Sequence, residues 1–117
     1  MGKVSILVID DKPVVLGTTE QILRASGYTV SAAADADAAS HMMRGVRFDL
    51  VILDCIPERE LLIDQAQSAK PPIPVLVLTG DCQIGQLPGV QLVLHKPVPP
   101  PVLLATIASL LQSSKVE

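Results

Sequence analysis

The sequence predicts one α/β domain: a doubly wound, five-stranded parallel sheet with helices on both faces, its fourth helix shortened or absent. Three features predict it. Short apolar runs alternate with stretches of helical periodicity, as in successive strand–helix–strand crossovers. The runs are nearly continuous in apolar character, as strands buried on both faces are. Four of the five runs end in polar residues, and open parallel sheets build their sites outside the carboxyl ends of their strands. The chain has 117 residues, 49% of them hydrophobic and 18% charged. That suffices for one core without disulfide or metal staples. A single domain is expected over residues 3–114, with no output domain.

Val4 to Ile9 is the first strand, apolar except for Ser5 and ended by two acids. Pro13 suits the first turn of the helix that follows. Val15 and Ile22, and Leu16 and Leu23, repeat at seven residues on one face, and Gly27 ends it. Gly17 inside that helix costs roughly 1 kcal/mol against alanine. Tyr28 to Ala33 is the second strand. Asp35 or Asp37 caps a helix carrying Ala38, Ala39, Met42 and Met43, closed by Gly45. The two methionines read as core. Leu50 to Leu53 is the third strand, ending at Asp54, and Glu58 to Ala69 the third helix, with acids in its first turn. Val75 to Leu78 is the fourth strand, ending at Thr79. Gly80, Gly85, Pro88 and Gly89 exclude a long helix over 80–89. Val90 to Leu94 is the fifth strand; a proline-rich turn and a last helix over Val102 to Leu111 complete the chain. The crossovers are expected to be right-handed.

Composition excludes several function classes. A net charge of −3 argues against a basic footprint for nucleic acid or anionic lipid. One tyrosine and one phenylalanine, Tyr28 and Phe48, give no stacking platform for single strands. No apolar run is long enough to span a bilayer. The N-terminus does not open a secretory signal, since Asp10, Asp11 and Lys12 interrupt it early. Ile6 stands where a myristoylation signal needs serine or threonine. Cys55 and Cys82 are too few for a disulfide framework and read as free thiols of a cytoplasmic protein.

The strand ends carry the chemistry. Asp10 and Asp11, Asp54, Thr79 and Lys96 follow the first, third, fourth and fifth strands, so three carboxylates, a hydroxyl and an ammonium converge on one rim. Adjacent carboxylates repel unless a cation sits among them. An all-oxygen set suits a hard divalent ion, and magnesium fits best. A cation, a lysine and a hydroxyl around a carboxylate make a pocket for a phosphoryl group on that carboxylate.

These pieces resemble the receiver domain of response regulators in bacterial two-component signalling. The matching stretches are I-L-V-I-D-D (6–11), G-Y-T-V (27–30), F-D-L-V-I-L-D (48–54), P-V-L-V-L-T-G (74–80) and L-H-K-P (94–97), and the likeness runs from Lys3 to about Ser113. The resemblance implies a flavodoxin-like sheet in the order 2-1-3-4-5 and a phosphoacceptor that draws its phosphoryl group from a histidine kinase or phosphotransfer protein. Asp54 matches the acceptor. Asp11 matches the direct magnesium ligand, and Asp10 the acid that acts through water. The main-chain carbonyl of Ile56 matches the third protein ligand, after Asp11 and Asp54. Thr79 matches the hydroxyl that moves to the phosphoryl group, and Lys96 the lysine that ion-pairs with it. Pro97 follows that lysine as in the family, where the bond is typically cis. Such a protein also catalyses its own phosphorylation and dephosphorylation without being an enzyme in the usual sense.

The departures are specific. Pro57 stands three residues after Asp54, where the family has a proline at four, so the loop is one residue short. The stretches from Asp54 to Thr79 and from Thr79 to Lys96 are short as well. Val93 stands at the usual aromatic switch position, and Val98 replaces a phenylalanine. Ile56 would set an apolar side chain where many members have a polar one. A pseudo-receiver, an interaction module that keeps the acids and has lost switching, is therefore the first alternative. A magnesium-dependent phosphohydrolase is the second, and the adjacency of Asp10 and Asp11 counts against it. His41 reads as a surface residue, and His95 as an exposed strand end or a phosphate contact. The last helix carries Val102, Leu103, Leu104, Ile107, Leu110 and Leu111, a wide apolar face. Residues 82–114 are accordingly expected to serve a homodimer or an adjoining domain.

Overall fold

The structure, a computed structural model, describes residues 4–54, 56, 58–80, 90, 92–96 and 98–115. Its strands are β1 (Ser5–Ile9), β2 (Thr29–Ala33), β3 (Leu50–Asp54), β4 (Val75–Thr79) and β5 (Leu92–His95). They form one sheet in the order β2-β1-β3-β4-β5, and every pairing is parallel. The described helices are α1 (Pro13–Ala25), α2 (Ala36–Gly45), α3 (Arg59–Ser68) and α4 (Pro100–Lys115). The fold is thus the doubly wound one the sequence predicts. The expectation of a shortened or absent crossover helix before β5 falls on residues that, Gly80 apart, lie outside those described. The Lys96–Pro97 bond lies outside them too.

Local chemistry sets the boundaries. Pro13 opens α1, where its missing N–H is no loss. Gly27 closes the turn after α1 at φ 97°, a left-handed conformation glycine adopts without strain, and its N–H donates to Arg24 O. Asp35, not Asp37, caps α2: its Oδ1 accepts from Ala38 N at 2.8 Å. β5 runs over residues 92–95 rather than 90–94. Pairing explains the shift, because Leu76 to Thr79 of β4 select Leu92 to His95 as their partners.

Strand alternation divides the core in two. Leu7, Ile9, Val51, Leu53, Val75 and Val77 face α2 and α3 and pack with Phe48, Leu62 and Ile63. Ile6, Val8, Leu50, Ile52, Leu76 and Leu78 face α1 and α4 and pack with Leu23, Ile107 and Leu111. Part of the apolar surface of α4 does stay open: Val102 is 48% exposed, and Leu104 and Leu110 are half-buried. Leu103 belongs to the core. No helix among the described residues is long and apolar enough to cross a membrane.

The entry to α3 is strained. Glu58 precedes it at φ 63° and makes no side-chain cap. A side chain in this left-handed region is disfavoured by roughly 1 kcal/mol. Glu58→Gly is therefore expected to stabilise the domain by about 0.5–1 kcal/mol in urea unfolding, against the usual loss for a new glycine. A destabilised variant would show that the turn is not strained.

Candidate functional site

Four strand ends supply the site. Asp10 follows β1, Asp54 ends β3, Thr79 ends β4 and Lys96 follows β5. Lys96 Nζ lies 2.8 Å from Asp54 Oδ1 and 3.5 Å from Asp10 Oδ2. The sheet order makes this a long reach: β4 lies between β5 and β3, so the Lys96 side chain crosses one strand to meet Asp54. Its backbone is tied at the same point, because Lys96 N donates to Thr79 O at 2.6 Å.

Asp10 and Asp54 are buried, whereas Asp11 is exposed. Asp10 accepts from the backbone N–H of Lys12 through Oδ1 at 2.9 Å. With its Oδ2 near Lys96, both oxygens of Asp10 have partners. Burial raises the Asp10 pKa above its ordinary value of 3.8, and neighbouring Asp54 raises it further; the Lys12 N–H and Lys96 oppose both. For Lys96, burial works against the charged form. The hydrogen bond and charge of Asp54, joined by Asp10, outweigh it and hold the ammonium above its ordinary 10.5. Lys96 is thus firmly charged, and the acids around it are crowded.

Asp10, Asp11 and Asp54 can each direct one carboxylate oxygen so that all lie within 4.8 Å of one another. Three hard anionic donors at that spacing, with one ammonium to offset them, suit a divalent cation such as magnesium. Ile56 is placed otherwise than its position two residues past Asp54 suggested. Its N–H donates to Asp54 O at 3.0 Å, and its side chain, 2% exposed, packs in the α2–α3 core. An aliphatic side chain gains more there than at a polar rim. Only its main chain is left to serve the site.

Asp10, Asp54 and Lys96 continue the strand positions that face α1 and α4, whereas Thr79 continues Val75 and Val77 on the α2–α3 side and is fully buried. Val93 pairs with Val77 and is half-buried. Cys55, Pro57 and Cys82 lie outside the described residues. Two features escaped the sequence. A groove of about 440 Å³ between α1 and α4, lined by Val14, Thr18, Ile22 and Leu103, opens beside Lys96. Val14 in that lining is 81% exposed, which has no sequence signal beyond its helical position. In addition, Ser40 Oγ donates to Gln65 Oε1 at 2.8 Å and Gln65 Nε2 returns to Ser40 O, joining α2 to α3.

Comparisons with known proteins agree with the fold. Residues 6–108 match the response regulator receiver domain family. The chain belongs to that family. It is 32% identical to the response regulator MprA of Mycobacterium ulcerans, an alignment covering 97% of this chain and 53% of that protein. It is 35% identical to the probable transcriptional regulatory protein TcrX of Mycobacterium tuberculosis, over 66% of this chain and 34% of that protein. The chain thus spans about half or less of the length of these curated relatives. Among solved structures, a CheY-like response regulator receiver domain protein from Methanospirillum hungatei superposes with a TM-score of 0.85 at 28% identity, covering 97% of this chain and 98% of that one.

The crowding of carboxylates has a measurable consequence. Asp10→Asn keeps the acceptor for Lys12 N–H and removes one buried charge. Without divalent metal, at neutral pH, the variant is expected to be more stable by roughly 1 kcal/mol, about 4 °C in Tm. The sign follows from linkage. A carboxyl whose folded pKa is raised costs stability above that pKa, and the cost disappears once the group is protonated in both states. The gain should therefore fade as pH falls toward 3.8. A variant less stable than the parent at pH 7 would overturn this account.

Proposed function

We propose that the domain accepts a phosphoryl group on Asp54 from the phosphohistidine of a histidine kinase or phosphotransfer protein, as one station of a cytoplasmic two-component relay. The observation that carries this reading is the 2.8 Å contact of Lys96 with Asp54 inside the three-carboxylate cluster. In the transfer, an Asp54 oxygen forms a bond to phosphorus while the P–N bond to imidazole breaks. The bonding pair leaves with the nitrogen, and Asp54, already anionic, gives up no proton. Lys96 offsets the charge of the phosphoryl oxygens and holds the carboxylate in line. Asp11, Asp54 and the Ile56 carbonyl would hold magnesium directly, with Asp10 acting through water. Magnesium, when bound, supplies positive charge to the phosphoryl oxygens. The Thr79 hydroxyl supplies a further donor once the group is in place. In the return step, a water oxygen forms a bond to phosphorus while the P–O bond to Asp54 breaks, the carboxylate keeps the bonding pair, and inorganic phosphate leaves with the water's proton passed to solvent.

Asp10 and Asp11 divide the work for a physical reason. Both Asp10 oxygens are partnered within the protein, whereas Asp11 is open to solvent. The open face of α4 around Val102 is the part of that helix available to a dimer mate or an adjoining domain. The pseudo-receiver reading has one observation in its favour, Val93 at the position where the family carries its aromatic switch.

A small phosphodonor such as acetyl phosphate, with magnesium, should add one phosphoryl group to the protein by intact mass, and Asp54→Asn should abolish the addition. Unchanged labelling of the Asn variant would overturn the assignment. Labelling that leaves all amide NMR signals beyond the rim unmoved would favour the pseudo-receiver.

Magnesium titration separates the acids. Asp11→Ala is expected to weaken binding by about tenfold or more, and Asp10→Ala by less. Equal affinities in parent and both variants would sink the ligand assignment.

A further inference from the structure

We propose that the outer edge of β2 is a surface for pairing with β2 of a second copy of this chain, and that Arg24 keeps it closed. Among the described residues, β2 is an outer strand paired only with β1. Thr29 N donates to Val4 O and Ala33 O accepts from Asp10 N, so residues 29, 31 and 33 turn their main-chain groups toward β1. That direction alternates along a strand, and the N–H and C=O groups of Val30 and Ala32 therefore point outward. Edges of this kind are usually blunted by a charge, a proline or a bulge. β2 has none of these: it reads Thr-Val-Ser-Ala-Ala and pairs with β1 without a break. The guard comes from α1 instead. Arg24 Nη2 donates to Val30 O at 3.0 Å, and Glu20 Oε2, one helical turn back, holds the same Nη2 at 2.7 Å. The Arg24 side chain stays 59% exposed, so these contacts add little stability. Their effect is to occupy an outward carbonyl and to set a charge on the edge.

The edge is self-complementary, which favours a second copy over an unrelated strand. Two copies brought together antiparallel about a two-fold axis at Ser31 set Val30 of each opposite Ala32 of the other. Both residues point outward, so each such pair exchanges two main-chain hydrogen bonds. Ser31 meets its own counterpart at the axis, in the closer spacing of a non-bonded pair. A contact of this symmetry closes on itself and stops at a dimer. Arg24 opposes it twice. The Val30 carbonyl, an acceptor in each pair, is already taken, and the two copies would bring two guanidinium groups to one short seam. Residues 29–34 carry no charge of their own, so Arg24 alone supplies this repulsion along the strand.

Removing the guanidinium tests this. Arg24→Met keeps an unbranched stem and a good helix former and lacks both donor and charge. In sedimentation velocity over a range of concentrations, Arg24→Met is expected to self-associate about tenfold or more tightly than the parent, because the Val30 carbonyl of each copy is freed. Adding Ser31→Lys sets like charges directly opposite each other at the axis and should return association to the parent's level. Circular dichroism and urea unfolding check that each variant is folded. Cross-linking gives a second reading that leaves charge unchanged. Ser31→Cys in the Arg24→Met background, oxidised with copper phenanthroline, should give more covalent dimer than Ser31→Cys alone. Arg24→Met without Ser31→Cys measures what Cys55 and Cys82 contribute. An Arg24→Met protein that associates no more than the parent would overturn the proposal. So would association that Ser31→Lys leaves untouched, or equal yields of covalent dimer in the two Ser31→Cys proteins.

Discussion

Lys96 holds an anionic rim together. Asp10 and Asp54 are buried beside each other, and two carboxylates so placed repel strongly where water cannot screen them. The ammonium of Lys96 lies within reach of both, and its backbone N–H is bonded to Thr79. One residue thereby links the edge strand β5 to β4 through its main chain and to β3 through its side chain. The geometry of the other site groups depends on that link. A buried ion pair of this kind adds little to stability on balance, because desolvation opposes the attraction. Its value lies in holding the Asp54 carboxylate in one position.

The sheet separates two kinds of chemistry by strand parity alone. The charged set continues the positions that face α1 and α4, while Thr79 and His95 continue those that face α2 and α3. The α2–α3 layer is tied internally by the Ser40–Gln65 pair. The α1–α4 layer instead leaves a groove beside Lys96, lined by apolar and hydroxyl side chains.

The short loop after Asp54 shows how packing overrides a local reading. Ile56 stands two residues from the acceptor, and its position in the chain suggests an apolar group at the rim. The core takes it instead, with Ile56 N bonded back to Asp54 O. The chain then enters α3 through a left-handed Glu58, a conformation that no residue type in the sequence announces. Burial of one aliphatic side chain, worth about 2 kcal/mol, outweighs a strained turn of roughly 1 kcal/mol.

Much of the molecule was legible in the chain because its signals are local. Continuous apolar runs mark strands buried on two faces, and Asp35, Gly27 and Pro13 mark helix ends through groups within a few residues of themselves. The polar strand ends identified Asp10, Asp11, Asp54, Thr79 and Lys96, since a parallel sheet brings all such ends to one edge. Long-range registration is not written in any one segment. Which four residues form β5, and hence that His95 rather than Val93 stands beside Thr79, follows from pairing with β4. Which of two adjacent acids is buried and partnered, and where Ile56 goes, follows from how the layers fill space. The sequence by itself determined the elements, their order along the chain and the chemical groups at the rim, because each rests on neighbouring residues. The tertiary structure alone decided the distances, burial and facing of those groups, because these depend on segments brought together from across the chain.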